Sequence, residues 1–163
     1  LLDLKRVRPD ADGAFLSAGI LAFSAGHSFS IAAVFLVAGS LGVSGVLVPA
    51  LGSLSVAAVA SPLSMMVSRK VLKARYGAHS RISAYYAALL IFFAVFTVWL
   101  SILDRRFLLA GIAVPCFLAS DLVLSAQYFV PGKKEDRALT ILDHALYYAA
   151  QILVVCWLFT LTA

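Results

Sequence analysis

The chain has 163 residues, of which 63% are hydrophobic and only 13% are charged, and its mean hydropathy is +0.99. Soluble globular domains are closer to half apolar and a quarter charged, and their apolar residues are not collected into long runs. The composition therefore excludes an ordinary soluble protein and predicts an all-α, polytopic transmembrane helix bundle. The net charge of +5 is explained by adhesion to the anionic head groups of a lipid bilayer, and no aromatic and basic pattern indicates nucleic acid as a partner.

Five stretches are long and apolar enough to cross a bilayer, which requires about 20 residues at a rise of about 1.5 Å each. They are expected at residues 14–38, 43–65, 82–103, 107–129 and 139–161. The second is rich in Gly and Ser and contains Pro49 and Pro62. Because small residues line the contacts of closely packed membrane helices, we expect an interior helix there. All the spans are expected to form a single domain over 1–163.

The basic residues are divided unevenly between the two sides that these crossings create. Eleven of the 13 Lys and Arg residues lie in the N-terminal segment and in the loops 68–81 and 131–137, which fall on one side. Arg105 and Arg106 remain for the other side. Because cytoplasmic loops collect Lys and Arg, we expect a cytoplasmic N-terminus and a C-terminus outside.

Asp121 lies within the fourth span and is the residue that most strongly indicates function. A charged side chain at membrane depth costs roughly 2.5 kcal/mol or more, and such residues usually face a protein interior or a wet cavity. Asp121, Ser125 and Tyr128 follow i, i+4, i+7 spacing and share one helix face. The alternative is a structural acid whose hydrogen bonds hold helices together.

Other spans offer polar side chains to the same depth, in the cytoplasmic half of the membrane. They are Ser24, His27 and Ser28 in the first span, Tyr85 and Tyr86 at the start of the third, and Asp143, His144, Tyr147, Tyr148 and Gln151 in the fifth. These candidates have ordinary alternatives: a satisfied interior position for His27, contact between helices for Gln151, solvated or capping positions for Asp143 and His144, and an interfacial belt for Tyr85, Tyr128, Tyr147 and Tyr148. The three histidines form no known metal-ligand spacing, and neither a metal nor another cofactor is expected.

Short motifs, taken in chain order, resemble the signature of the YhhN-like lysoplasmalogenase family of integral membrane proteins. The first is GILAFSAGHSFSIAAVF, with Gly19, Phe23, Gly26 and His27. The others are Ala84-Tyr85-Tyr86, the block PCFLASDLVLSAQYF around Asp121, and ALYYAAQILVV with Tyr147, Tyr148 and Gln151. The resemblance covers about residues 15–158. Since the family is expected to have further helices ahead of these, we expect an N-terminally truncated chain.

The resemblance implies hydrolysis of the vinyl ether bond of a lysoplasmalogen, which is a lysophospholipid, to a fatty aldehyde and a glycerophospho-base. Protonation of the β-carbon creates an oxocarbenium ion, so the reaction needs a positioned acid and a nearby negative charge, as in glycosidases. Asp121 is expected to be the acid, His27 or Tyr147 to tune or relay the proton, and Gln151 to hold the water or the substrate oxygen. Substrate contacts are expected from Tyr85, Ser125, Tyr128 and Tyr148, and phosphate contacts from Lys134 or Arg137.

The family's second acidic residue, a Gly-Asp ahead of the His27 segment, is not evident in this chain. Asp3 stands at a comparable distance but follows Leu2, so the partner carboxylate is expected upstream. Two other functions remain open: a small transporter or lipid carrier that uses Asp121 as a proton or ligand site, and a structural membrane subunit. A pocket with Asp121 on its wall would favour the enzyme, a continuous path would favour transport, and a dry packed seam would favour the structural role. A bacterial cytoplasmic membrane is the expected location.

Overall fold

The computed structural model describes residues 12–134 and 136–162, with side chains from Phe15 onward. Within these ranges the chain is helical and has no β-strand. The long helices are α1 (Asp12–Ser40), α2 (Leu47–Lys70), α3 (Ser80–Leu103), α4 (Leu108–Phe129) and α5 (Arg137–Thr162). All five are long and apolar enough to cross a membrane. The all-α transmembrane bundle predicted from composition is therefore confirmed.

The helix ends are set by local backbone chemistry, and they differ from the predicted spans. Gly42 and Gly45 adopt φ values of 69° and 73° in the turn between α1 and α2, a backbone conformation that glycine reaches without a steric penalty. These glycines delay the start of α2 to Leu47. The Oδ1 atom of Asp136 accepts hydrogen bonds from the backbone N–H groups of Ala138 and Leu139 at 3.1 and 3.3 Å, so Asp136 caps the start of α5.

Helix α2 packs on α3 through one stripe of small or compact residues. The buried residues of this stripe are Pro49, Ser53, Ala57, Ser61 and Met65. Ser61 Oγ also donates a hydrogen bond of 2.8 Å to the carbonyl oxygen of Ala84. The opposite face of α2 is exposed, as at Val59, which is 69% accessible. Among the described residues α2 is therefore an edge helix and not the predicted interior one, because its small residues serve a single contact face.

Helix α3 occupies the centre of the bundle. Helices α1, α2 and α4 all pack on it, whereas α5 packs mainly on α4. Phe96 and Leu100 of α3 are fully buried, together with Phe107 between α3 and α4. The indole Nε1 of Trp157 donates a hydrogen bond of 2.9 Å to the carbonyl oxygen of Arg106, which ties the end of α5 to the turn before α4. Since α1 and α5 pack on different helices, a space remains between them.

Candidate active site

A cavity of about 710 Å³ lies between α1 and α5, with Phe93 of α3 and one face of α4 on its inner side. Ligand pockets usually have volumes of about 300–1,000 Å³. The cavity is partly open, and residues on its wall such as Phe23 and Tyr148 are 47% and 60% exposed. Most of the wall is apolar, and the polar side chains on it are His27, Ser30, Ser120, Asp121, Asp143, His144, Tyr147, Tyr148 and Gln151. Asp121 therefore lies on the wall of a cavity and not in a closed helix seam.

Asp121 is held by Tyr86 of the neighbouring helix. The phenol Oη of Tyr86 donates a hydrogen bond of 2.9 Å to Oδ2 of Asp121. The sequence predicted Tyr85 as the site residue of this pair, but Tyr85 is 57% exposed and does not line the cavity. Adjacent residues of a helix point about 100° apart, so only one of the two tyrosines can face α4. Tyr86 continues the buried stripe formed by Ser83, Leu90 and Phe93. This helical spacing is the sequence signal that distinguishes Tyr86 from Tyr85.

Asp143 brings a second carboxylate to the same cavity. Its exposure is 9%, and its Oδ1 accepts a hydrogen bond of 2.6 Å from Ser120 Oγ, on the residue that precedes Asp121. The alternative that Asp143 is a solvated or capping residue is therefore wrong. Asp136 caps α5 about two turns earlier, which leaves Asp143 inside the helix and facing α4.

His27 is buried among aromatic rings at the α1 side of the cavity. Its ring centroid lies 6.0 Å from that of Tyr86, 6.1 Å from that of Phe93 and 5.7 Å from that of Phe117. The exposure of His27 is 8%. His27 thus contacts Tyr86, the residue that holds Asp121, and it lines the cavity as the sequence predicted.

Tyr147 and Gln151 form a pair on the α5 wall. Gln151 Nε2 donates a hydrogen bond of 3.1 Å to Tyr147 Oη, as their i, i+4 spacing allows. The ring of Tyr147 also packs edge-on against Phe117 of α4, with centroids 5.7 Å apart. Tyr148 stands beside it at 5.6 Å. These three predicted site residues of α5 all line the cavity.

Other predicted residues lie outside this cavity. Ser125 is partly buried but does not line it, and Arg137 is exposed at the start of α5. Tyr128, 50% exposed, lines a second cavity of about 200 Å³. Lys134 also lines this second cavity. The two predicted residues Tyr128 and Lys134 are therefore brought together, but in a space beside the main cavity.

The residues described in the structure contain no group of three or more His, Cys, Asp or Glu side chains that could hold a metal ion. Asp3, considered above as a possible acidic partner, lies outside the described residues. The arrangement is suited to proton transfer, because two carboxyl groups, which can donate or accept protons, lie on the wall of one largely apolar cavity.

Comparison with known proteins agrees with the motifs found in the sequence. No curated protein sequence and no solved structure matches the chain. The model of the YhhN family matches residues 5–157, which is nearly the whole chain. The matched segment contains both carboxylates and the other polar side chains on the cavity wall. The chain therefore belongs to the YhhN family.

Proposed function

We propose that this chain is a membrane-embedded hydrolase that cleaves the vinyl ether bond of a lysoplasmalogen. The observation that carries the proposal is the placement of Asp121 and Asp143 together on the wall of one largely apolar cavity. An apolar cavity suits the long hydrocarbon chain of such a lipid, and a carboxyl pair suits acid catalysis at the ether bond. The resemblance of the motifs to lysoplasmalogenases supports the same reaction.

The reaction begins with transfer of a proton from the carboxylic acid of Asp121 to the β-carbon of the vinyl ether. The electron pair of the C=C bond forms the new C–H bond, which leaves an oxocarbenium ion at the carbon bound to the ether oxygen. Water adds to this carbon and loses a proton to a carboxylate, which gives a hemiacetal. The hemiacetal hydroxyl then loses its proton as the bond from carbon to the glycerol oxygen breaks, the glycerol oxygen takes up a proton, and the fatty aldehyde is released. One water is consumed and the acid is restored.

The surroundings of the two carboxyl groups support different roles. Asp121 lines only the main cavity, whereas Asp143 lines both cavities and has the exposed His144 as its neighbour. In a bound lipid the β-carbon lies on the hydrocarbon side of the ether and suits the main cavity, whereas the cationic carbon is bonded to the ether oxygen on the glycerol side. We therefore assign Asp121 as the general acid and Asp143 as the carboxylate that stabilises the oxocarbenium ion, the division that glycosidases use for a similar ion.

The remaining polar residues of the cavity support this chemistry. Tyr86 fixes the orientation of the Asp121 carboxyl group, and His27 packs against Tyr86. The amide of Gln151, held by Tyr147, is available to position the attacking water. A structural subunit would pack its polar groups in a seam without a cavity, so the open space beside Asp121 favours the enzyme.

The proposal is tested by fatty aldehyde release from an alkenyl lysophospholipid by the purified protein in lipid nanodiscs. Aldehyde is expected from the alkenyl substrate and not from the matched alkyl ether, which has no double bond to protonate. Asp121→Asn is expected to lower the rate by about 10²- to 10⁴-fold, the usual contribution of a general acid. Asp104→Asn, which changes a carboxylate in the turn between α3 and α4, serves as the matched control.

Wild-type protein that releases no aldehyde, or a folded Asp121→Asn variant with the wild-type rate, would overturn the proposal. Circular dichroism and size-exclusion chromatography of each variant establish that it is folded.

We place the Lys134 loop on the cytoplasmic face from the distribution of basic residues. Labelling of a single cysteine introduced in that loop, from either side of a sealed membrane, tests this orientation.

A further inference from the structure

We propose that the second cavity is the binding site for the glycerophosphate end of the substrate, with the Lys134 ammonium group facing the phosphate. This cavity is lined by Gln127, Tyr128, Lys134 and Thr140, and it shares Asp143 and His144 with the main cavity. The inference rests on the proposed function and extends it to the way the substrate is held. Its ligand class is a glycerol phosphate ester that carries one long hydrocarbon chain.

The two cavities together match the shape of such an amphiphile. The main cavity, of about 710 Å³, has a mainly apolar wall, and the second, of about 200 Å³, has a much more polar lining. They share three lining residues, which are Leu124, Asp143 and His144. In the proposed binding mode, the chain of the lipid lies in the larger cavity and its polar end passes these shared residues into the smaller one.

This arrangement places the bond that is cleaved next to the carboxylates. In a lysoplasmalogen the vinyl ether oxygen is the atom that joins the hydrocarbon chain to glycerol. A substrate that fills both cavities must hold this oxygen at their junction, and Asp143 is one of the residues of that junction. Ser120 connects Asp143 to the α4 turn that carries Asp121. The binding mode and the assignment of the catalytic carboxylates therefore agree.

Hydrogen bonds join polar residues on the wall of the second cavity. Gln127 Nε2 donates a hydrogen bond of 2.8 Å to Thr140 Oγ1, and His144 Nδ1 lies 2.7 Å from the carbonyl oxygen of Thr140. An ammonium group forms charge-assisted hydrogen bonds with phosphate oxygens, which are stronger than bonds between neutral groups. Lys134 is thus the cation of this cavity that can recognise a phosphate.

Lys133 supplies a matched control from the same loop. Its Nζ pairs with Asp136 Oδ2 at 3.0 Å, and Lys133 does not line the second cavity. Both lysines are exposed, so replacement of either one by Gln removes one positive charge without opening the core. Any general effect of loop charge on lipid binding is the same for both variants, whereas an effect of the cavity is confined to Lys134.

The experiment measures binding of two non-hydrolysable ligands in nanodiscs by native mass spectrometry. One is a 1-alkyl lysophosphatidylethanolamine, and the other is the 1-alkylglycerol with the same chain, which lacks the phosphate. Lys134→Gln is expected to weaken binding of the phospholipid by about tenfold, as loss of one charge-assisted contact predicts, and to leave alkylglycerol binding unchanged. Lys133→Gln is expected to change neither, and Lys134→Arg to restore phospholipid binding.

Equal effects of Lys134→Gln on both ligands, or no effect on either, would overturn the site. Tight binding of inorganic phosphate that depends on Lys134 but leaves lipid binding unchanged would also overturn it, since the cavity would then hold a free anion. Because neither lipid can be cleaved, this result does not depend on the reaction. Absent aldehyde release with intact Lys134-dependent binding would contradict the proposed hydrolysis alone.

Discussion

The phenol of Tyr86 donates its hydrogen bond to Oδ2 of Asp121 at 2.9 Å, and this contact joins α3 to α4 beside the cavity. It commits one oxygen of the carboxyl group to the protein and sets the direction in which the other can face. On the proposed mechanism Tyr86 is a positioning residue, because it acts on the substrate only through Asp121.

Tyr86→Phe is therefore expected to lower kcat with little change in KM. A small misplacement of a reacting group can cost on the order of 10²-fold in rate, whereas the apolar cavity that binds the chain is unchanged. The measurement is steady-state aldehyde release over a range of substrate concentrations. Tyr85→Phe, at the exposed neighbouring position, is the control. A rise in KM alone, or equal losses in the two variants, would contradict the positioning role.

Ser120→Ala removes the hydrogen bond of 2.6 Å that Ser120 Oγ donates to Asp143 Oδ1. A buried acceptor that loses its partner costs about 1–3 kcal/mol, so the free energy of unfolding is expected to fall by that order. Aldehyde release is expected to fall as well, because Asp143 is no longer held at the junction of the cavities. Ser125→Ala, on the same helix but outside the cavity wall, should retain both stability and rate. Full activity of Ser120→Ala would contradict the proposal that Asp143 must be held by Ser120 for the reaction.

Gly111→Ala tests the contact between α3 and α4. A Cβ atom at Gly111 would lie 2.7 Å from Ser101 Oγ and 2.8 Å from Ser101 Cβ, with the Thr97 carbonyl oxygen 3.1 Å away. Overpacking of this kind costs about 1–3 kcal/mol, so thermal unfolding in detergent is expected at a lower temperature. Gly19→Ala is the control, since a Cβ atom there meets nothing within 4 Å. Equal melting temperatures for the two variants would show that the helices can separate without cost.

The turn between α3 and α4 predicts a pH dependence of stability. Hydrogen bonds from the side chain and backbone N–H of Arg106 hold the pKa of Asp104 below its usual range. Because the pKa is lower in the folded state, this ion pair stabilises the protein above the unfolded pKa of about 3.9, and the contribution is lost as pH falls through the folded value. The wild type is therefore expected to melt at a higher temperature than Asp104→Asn at pH 7, and this difference should shrink below about pH 4. A difference in melting temperature that does not change with pH would contradict this role of the Asp104–Arg106 ion pair.

Several features of the candidate site were predictable from helical spacing within one helix. Tyr147 and Gln151 share a face of α5 and are hydrogen-bonded, and His27 points into the bundle. These relationships depend only on the rise and turn of a single helix, which nearby residues determine. The choice between Tyr85 and Tyr86 was different, because it required knowing which face of α3 meets α4.

The amino-acid sequence by itself determined the class of protein and the number of apolar spans. The hydrophobicity of a span depends only on its own residues, and it is sufficient to favour insertion into a bilayer. The sequence also identified Asp121 as a carboxyl group whose placement in a membrane span is energetically unfavourable, which indicates function. Only the tertiary structure decided that Asp143 lies on the same cavity wall as Asp121 and that Asp143 also lines a second cavity. Residues on different helices become neighbours through the rotation and packing of whole helices, which depend on contacts distant in the sequence.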